Sequence, residues 1–212
     1  LVQDKLTMYF VRHGKTEWNL TGQMQGWGDS PLVSEGIEGA KRVGEALSNI
    51  TFNQIYSSSS KRTQDTARLI LNDPSVEIKP MEEFREMGFG SWEGVRVTEL
   101  DQKFALERQL FLTDPITFDA KINGGETYFQ LEKRLLSGLE KIKAEQTKGN
   151  ILVVSHGMAL TLLLHLLSGG TLAEHRKQGT KIVNTSISVV EFKQDGHKVI
   201  ELNNVDHLLN KI

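Results

Sequence analysis

Apolar residues fall into two patterns along this chain of 212 residues. The first is short and unbroken. Met8-Tyr9-Phe10-Val11 and Ile151-Leu152-Val153-Val154 read as strands buried on both faces. The second has apolar positions three and four apart, the spacing of an amphipathic helix. Together they predict strands over 7–12, 52–57, 76–79 and 150–155, and helices over 34–49, 60–71, 126–143 and 158–167. The helix over 34–49 takes Ser34 as its N-cap and turns Ile37, Ala40, Val43 and Leu47 inward. That over 60–71 is stopped by Asn72-Asp73-Pro74, and that over 126–143 carries Leu131, Leu135, Leu139 and Ile142 on one stripe. The segments 186–192 and 198–202 flank Asp195-Gly196 and predict a closing hairpin, within the sheet or open to a second copy of the chain as a homodimer.

Strands alternating with helices predict a layered α/β fold, and the length fits one domain over 1–212. Residues 93–125 break the pattern. They mix Arg96, Lys103, Arg108 and Lys121 with Phe104, Leu110, Phe111 and Phe118, as a lid over the strand ends or as a plain helix and loop. The net charge of −2 comes without a basic stripe, so no nucleic-acid partner is expected. The longest apolar stretch, 158–167, is far shorter than the roughly 20 residues that span a bilayer. No cysteine occurs, which excludes disulfides, thiolate catalysis and cysteine-bound zinc and fits a reducing cytoplasm. The opening residues show no charged-then-apolar leader; residues 1–5 are set aside as a processed end or an expression remnant.

Both diagnostic strands stop at a histidine and a glycine, in Arg12-His13-Gly14 and Ser155-His156-Gly157. Parallel sheets bind ligands outside the carboxyl ends of their strands, so two imidazoles and a guanidinium meet at one edge, as suits a phosphate. A neutral His13 is a nucleophile at pH 7 if its other ring nitrogen donates to a fixed acceptor, which a tight turn at Gly14 can supply. Asn19 brings an amide to the same loop, and Gln25-Gly26-Trp27 lies in a glycine-rich segment beyond it. Arg62, early in the helix after the second strand, offers a fork that matches phosphate oxygens in pairs. His156, followed by Gly157 at a helix start, sits among backbone N–H groups that favour anions and, when charged, stabilises phosphoryl oxygens. A carboxyl among aromatic residues and glycines can hold its proton and act as general acid and base; Glu86 and Glu93 both qualify. His165 reads as a helix residue and His175, His197 and His207 as loop or surface residues, none with metal-ligand spacing.

Four segments taken in order resemble the histidine phosphatase, or phosphoglycerate mutase-like, superfamily, from Tyr9 to about Asn184. They are Arg12-His13-Gly14 with Thr16 and Asn19, Arg62 with Thr66-Ala67, the run from Glu86 to Gly94, and Ser155-His156-Gly157. The resemblance implies a three-layer α/β/α sandwich with a mainly parallel central sheet. It implies that His13 is phosphorylated on Nε2, that Arg12, Arg62 and His156 bind the phosphoryl group, and that Glu86, not Glu93, carries the proton. Asn19, Gln25, Gly26 and Gly157 become substrate-binding positions, with no metal or cofactor. The chain lacks the longer insertion after the third motif and any Arg-Arg pair, both typical of cofactor-dependent mutases. It therefore resembles the cofactor-independent phosphatase branch. The implied reaction is hydrolysis of a small phosphomonoester, with transfer between positions of phosphoglycerate as the alternative. A phosphate-binding module without catalysis would not need Glu86. Residues 95–123 would set the choice of substrate.

Overall fold

The computed structural model describes residues 4–209, so most of the set-aside segment 1–5 lies outside the described residues. Among the described residues the chain runs β1 (Leu6–Arg12), α1 (Glu17–Thr21), α2 (Ser34–Ala46), β2 (Gln54–Ser58), α3 (Lys61–Leu71) and β3 (Lys79–Met81). Then follow α4 (Val97–Lys103), α5 (Ala105–Thr113), α6 (Tyr128–Glu145), β4 (Gly149–Ser155), α7 (Gly157–Leu167), α8 (His175–Gln178), β5 (Ile187–Lys193), β6 (Gly196–Asn204) and α9 (Asp206–Leu209). The strands form one sheet in the order β3-β2-β4-β1-β5-β6. β3, β2, β4 and β1 are parallel, while β5 and β6 are antiparallel.

The pleat sends alternate residues to opposite layers. Met8, Phe10, Ile151 and Val153 join Leu131, Leu135 and Leu139 of α6 and Leu160, Leu163 and Leu164 of α7 in one core. Val11, Leu152 and Val154 join Ala40 and Val43 of α2 and Ala67 and Ile70 of α3 in another. The expected three-layer sandwich with a mainly parallel sheet is therefore present, its central strands apolar on both faces as the sequence pattern requires. The α6 stripe is buried as expected, and Thr127 opens that helix with a capping box to Gln130. The closing hairpin lies in the sheet, with β5 against β1 and β6 outside it.

Several expectations are corrected. α2 ends at Ala46, its N-cap is Val33, and Ser34 is the first helical residue. Its buried face is Gly36, Gly39, Ala40 and Val43, whereas Ile37 is 36% exposed. The reason is close approach: a Cβ on Gly36 would stand 2.2 Å from the Lys15 carbonyl oxygen, and one on Gly14 would stand 2.5 Å from that of Gly36. The helix turns Gly36 to the loop after β1 and Gly39 to Thr185, and the large side chain of Ile37 faces out. The third strand lies at Lys79–Met81, later than 76–79, because Val76 and Ile78 pack into the second core before the strand pairs. Pro80 is tolerated there because β3 is an edge strand. The hairpin turns at Gln194 and Asp195, with Gly196 already paired to Lys193. The irregular segment 93–125 contains α4 and α5, and Leu100, Phe111 and Phe118 sit in the main core. His175 is buried in α8, not exposed in a loop.

Candidate active site

Strand register assembles the site. Arg12 pairs with Ser155 across β1 and β4, and the His13 N–H donates to the Ser155 carbonyl at 3.0 Å. The next side chains, His13 and His156, therefore meet, with ring centroids 5.2 Å apart and planes at 65°. Both rings are buried. His13 Nδ1 donates to the Gly14 carbonyl at 2.8 Å, as the tight turn predicts, so a neutral ring presents an unprotonated Nε2. Thr66 fixes that turn: its hydroxyl accepts from the Gly14 N–H at 3.0 Å and donates to the Arg62 carbonyl at 2.8 Å. Burial, then the charges of Arg62 and Arg12, push the His13 pKa well below the ordinary histidine value.

His156 takes the complementary form. Its Nδ1 accepts from Arg62 Nη2 at 3.1 Å, and its Nε2–H donates to Ser58 Oγ at 2.7 Å, at the end of β2. A ring accepting from a guanidinium is neutral, and burial followed by Arg62 holds its pKa well below the usual range. The sequence reading of a charged His156 therefore does not describe this arrangement. Arg62 is buried; besides His156, its guanidinium donates to the carbonyls of Gly26 and Gly28, both at 2.6 Å, and to Asp29 at 2.9 Å. Arg12 donates through Nη1 to the Ile182 carbonyl at 2.7 Å. The Nε atoms of both arginines are buried and have no hydrogen-bond partner among the described residues.

The two glutamates left open by residue chemistry now differ in place. Glu86 is buried, and its carboxylate accepts from the N–H groups of Met87, Met158 and Ala159, each at 2.9 Å. The last two belong to the first turn of α7, so the N–H groups expected to be free there are capped by Glu86. Burial raises the Glu86 pKa, while the N–H groups of Met87 and Met158 and the charges of Arg62 and Arg12 pull the other way. Glu93 instead accepts from Gly26 N–H at 2.7 Å and Trp27 N–H at 3.0 Å.

The chain matches the model of the histidine phosphatase superfamily (branch 1) over residues 8–205. The chain belongs to the histidine phosphatase superfamily. It is 31% identical to the uncharacterised phosphatase PhoE of Bacillus subtilis, over 93% of this chain and 94% of that one. It is 32% identical to the probable phosphoglycerate mutase GpmB of Proteus mirabilis, over 89% of this chain and 86% of that one. Among solved structures it resembles YhfR of Bacillus stearothermophilus at 28% identity and a TM-score of 0.91, covering 96% of this chain and 99% of the other. It is thus an enzyme of the phosphoglycerate mutase family.

The remaining expected positions of this histidine phosphatase fall into two groups. Arg12, Glu86, Asn19, Gln25 and Gly157 all line one cleft of about 390 Å³. Asn19 also closes a capping box on α1: Oδ1 accepts from the Thr16 N–H at 3.1 Å and from Asn184 Nδ2 at 3.3 Å. Gln25 donates to Thr16 Oγ1 at 2.8 Å and accepts from Ser30 at 2.6 Å. A Cβ on Gly157 would meet the Arg12 guanidinium carbon at 2.9 Å. His13, Arg62 and His156 lie behind the cleft wall and do not line it, and neither does Gly26, whose N–H is held by Glu93 and whose carbonyl is held by Arg62.

Sequence reasoning also missed Ser58, in a run of four serines, and Arg134. Arg134 donates to the carbonyls of Glu83 and Arg85 at 2.9 Å and of Glu86 at 3.0 Å, with Glu126 at 2.7 Å as its ion-pair partner. Nothing in the helical spacing of α6 distinguishes it from a solvent-facing arginine.

Proposed function

We propose that this histidine phosphatase hydrolyses small phosphomonoesters through His13, with Arg12, Arg62 and His156 around the phosphoryl group and Glu86 as proton carrier. The observation that carries the reading is the Nδ1–H to Gly14 carbonyl bond, which leaves the Nε2 lone pair as the nucleophile beside two guanidiniums. Nε2 attacks phosphorus, and the bond to the ester oxygen breaks. The Glu86 carboxyl proton goes to that oxygen, for which a raised pKa is suited. Water then attacks phosphohistidine, Glu86 takes its proton, and the N–P electron pair returns to Nε2. The buried Nε–H groups of Arg12 and Arg62 offer donors to phosphoryl oxygens as charge develops. The reaction calls for no metal or cofactor.

The whole chain acts as one domain in this reading, and residues 95–123 select the substrate. Val97, Arg108, Phe111 and Leu112 support this by lining the cleft beside Arg176 and Lys181. A reducing cytoplasm is the compartment that the cysteine-free sequence favours. A homodimer would pair through the outer edge of β6, where Ile200 and Leu202 are exposed. Phosphoryl transfer within phosphoglycerate is the second reading, favoured by the likeness to GpmB.

The test is covalent. After brief incubation with a 32P-labelled phosphomonoester, the wild-type protein carries acid-labile, base-stable label and H13A carries none. An unlabelled wild-type protein that nonetheless turns over substrate overturns the phosphohistidine route. Product formation from 3-phosphoglycerate, with and without bisphosphate primer, separates hydrolysis from transfer.

A further inference from the structure

Glu93, displaced from proton transfer by Glu86, faces a loop whose other side holds Arg62. The loop Gly26-Trp27-Gly28 turns all three N–H groups to the Glu93 carboxylate, at 2.7 Å for Gly26, 3.0 Å for Trp27 and 3.3 Å for Gly28. The carbonyls of Gly26 and Gly28 each accept from one arm of the Arg62 guanidinium at 2.6 Å. The same peptide segment is thus gripped by a carboxylate on one side and a guanidinium on the other. The loop has no room to slide. A Cβ on Gly26 would lie 2.1 Å from the Met87 carbonyl oxygen and 3.0 Å from Glu93 Oε1, and the Trp27 indole N–H donates to the Glu86 carbonyl at 2.9 Å.

We propose that Glu93 is a positioning residue for Arg62, acting through the 26–28 loop to aim the guanidinium at the phosphoryl group. The inference rests on the reading of Arg62 given under the proposed function. Arg62 Nη1 and Nη2 are both engaged, by Gly28 and Asp29 and by Gly26 and His156, which orients the remaining Nε–H. Two of those four acceptors are carbonyls of the loop that Glu93 holds. Charge-assisted bonds from one carboxylate to successive N–H groups are the strong kind, and a neutral amide in its place cannot accept from all three as well. Outer-shell partners of metal ligands typically change activity by ~10- to 100-fold when replaced, and a partner that aims a buried guanidinium is expected to act on the same scale.

The test is a double-mutant cycle on kcat/KM for p-nitrophenyl phosphate, with E93Q, R62A and the double variant, and thermal melts alongside. If Glu93 works through Arg62, E93Q lowers kcat/KM by ~10- to 100-fold in the otherwise wild-type protein. In the R62A protein the same change has little further effect, because residues acting as a unit are non-additive. A melting temperature near wild type shows that the loss is not unfolding. If E93Q does not stay folded at the assay temperature, E93D enters the same cycle with the same expectation of non-additivity. Additive losses, or an E93Q enzyme as active as wild type, overturn the inference and leave the role of Arg62 standing. An R62A enzyme as active as wild type overturns both.

Discussion

In the proposed reaction, burial makes His13 a nucleophile out of an ordinary side chain. Its environment favours the neutral ring twice, by desolvation and by the adjacent arginines. A free histidine is half protonated near pH 6.5, and protonation would remove the attacking lone pair. With the folded pKa pushed well below that value, the neutral ring persists as pH falls. The acid limb of kcat/KM for p-nitrophenyl phosphate is therefore expected well below pH 6.5; a limb centred at 6.5 would show an unperturbed ring. Histidine, arginine and carboxylate were legible in the sequence as a chemical set, and so was the neutral tautomer of His13 held by Gly14, but the neutral state of His156 was not. The neutral form of His156 depends on Arg62 and Ser58, which lie 94 and 98 residues away. The places of Glu86 and Glu93 were likewise not legible, since which carboxylate reaches the α7 N–H groups and which reaches the 26–28 loop is set by the fold.

The crossing of α2 over the β1 loop turns on two glycines, and it yields a direct prediction. Gly36→Ala puts a methyl group into the Lys15 carbonyl, at 2.2 Å, and either the helix or the loop must move. Overpacking of this kind costs about 1–3 kcal/mol. We expect a lowered melting temperature together with loss of phosphatase activity, because Gly14 holds the His13 tautomer; Ile37→Ala, on the half-exposed side of the same helix, should leave activity near wild type. Apolar periodicity placed α2 and turned Ala40, Val43 and Leu47 inward correctly, but misjudged Ile37, since it scores side chains and the contact at Gly36 is made by backbone. The ends of β1 and β4 were readable because fully buried strands leave unbroken apolar runs. The 93–125 segment was not readable, because short helices that bury one apolar residue each, Leu100 in α4 and Phe111 in α5, have no length over which a period can emerge.

The molecule as a whole carries three buried histidines whose folded pKa values are depressed: His13, His156 and His175, the last brought down to about 4 chiefly by burial. In the unfolded chain each takes a proton near pH 6.5, while the native ring refuses it. Unfolding therefore binds protons below pH 6.5, and stability falls with pH by about 1.4 kcal/mol per unit for each histidine, down to the folded pKa. Glu86, whose pKa is raised, works in the opposite sense, since its native carboxyl keeps the proton better than the unfolded one. Glu86 acts only near and above the ordinary carboxylate range, whereas the histidines act from pH 6.5 downwards, so melting temperatures should decline as pH falls below 6.5; a flat profile would mean that the rings accept protons in the native state. The layered α/β class was legible from strand and helix order, and the three-layer sandwich with its mainly parallel sheet from the family resemblance. What the order could not supply was the burial of His175, because α8 is only four residues long and its ring packs 5.2 Å from that of Tyr128, on a different helix.

On the proposed mechanism, Glu86 also ties the reaction to the backbone. The carboxylate proposed to give up and regain a proton is the group that caps the first turn of α7, immediately after His156. A protonated carboxyl is a poorer acceptor than a carboxylate, so the start of that helix is held less firmly while the acid is loaded and more firmly once it is spent. If Glu86 carries the proton as proposed, the amides of Met158 and Ala159 register each turn of the cycle, two reporters that sit beside the chemistry without taking part in it.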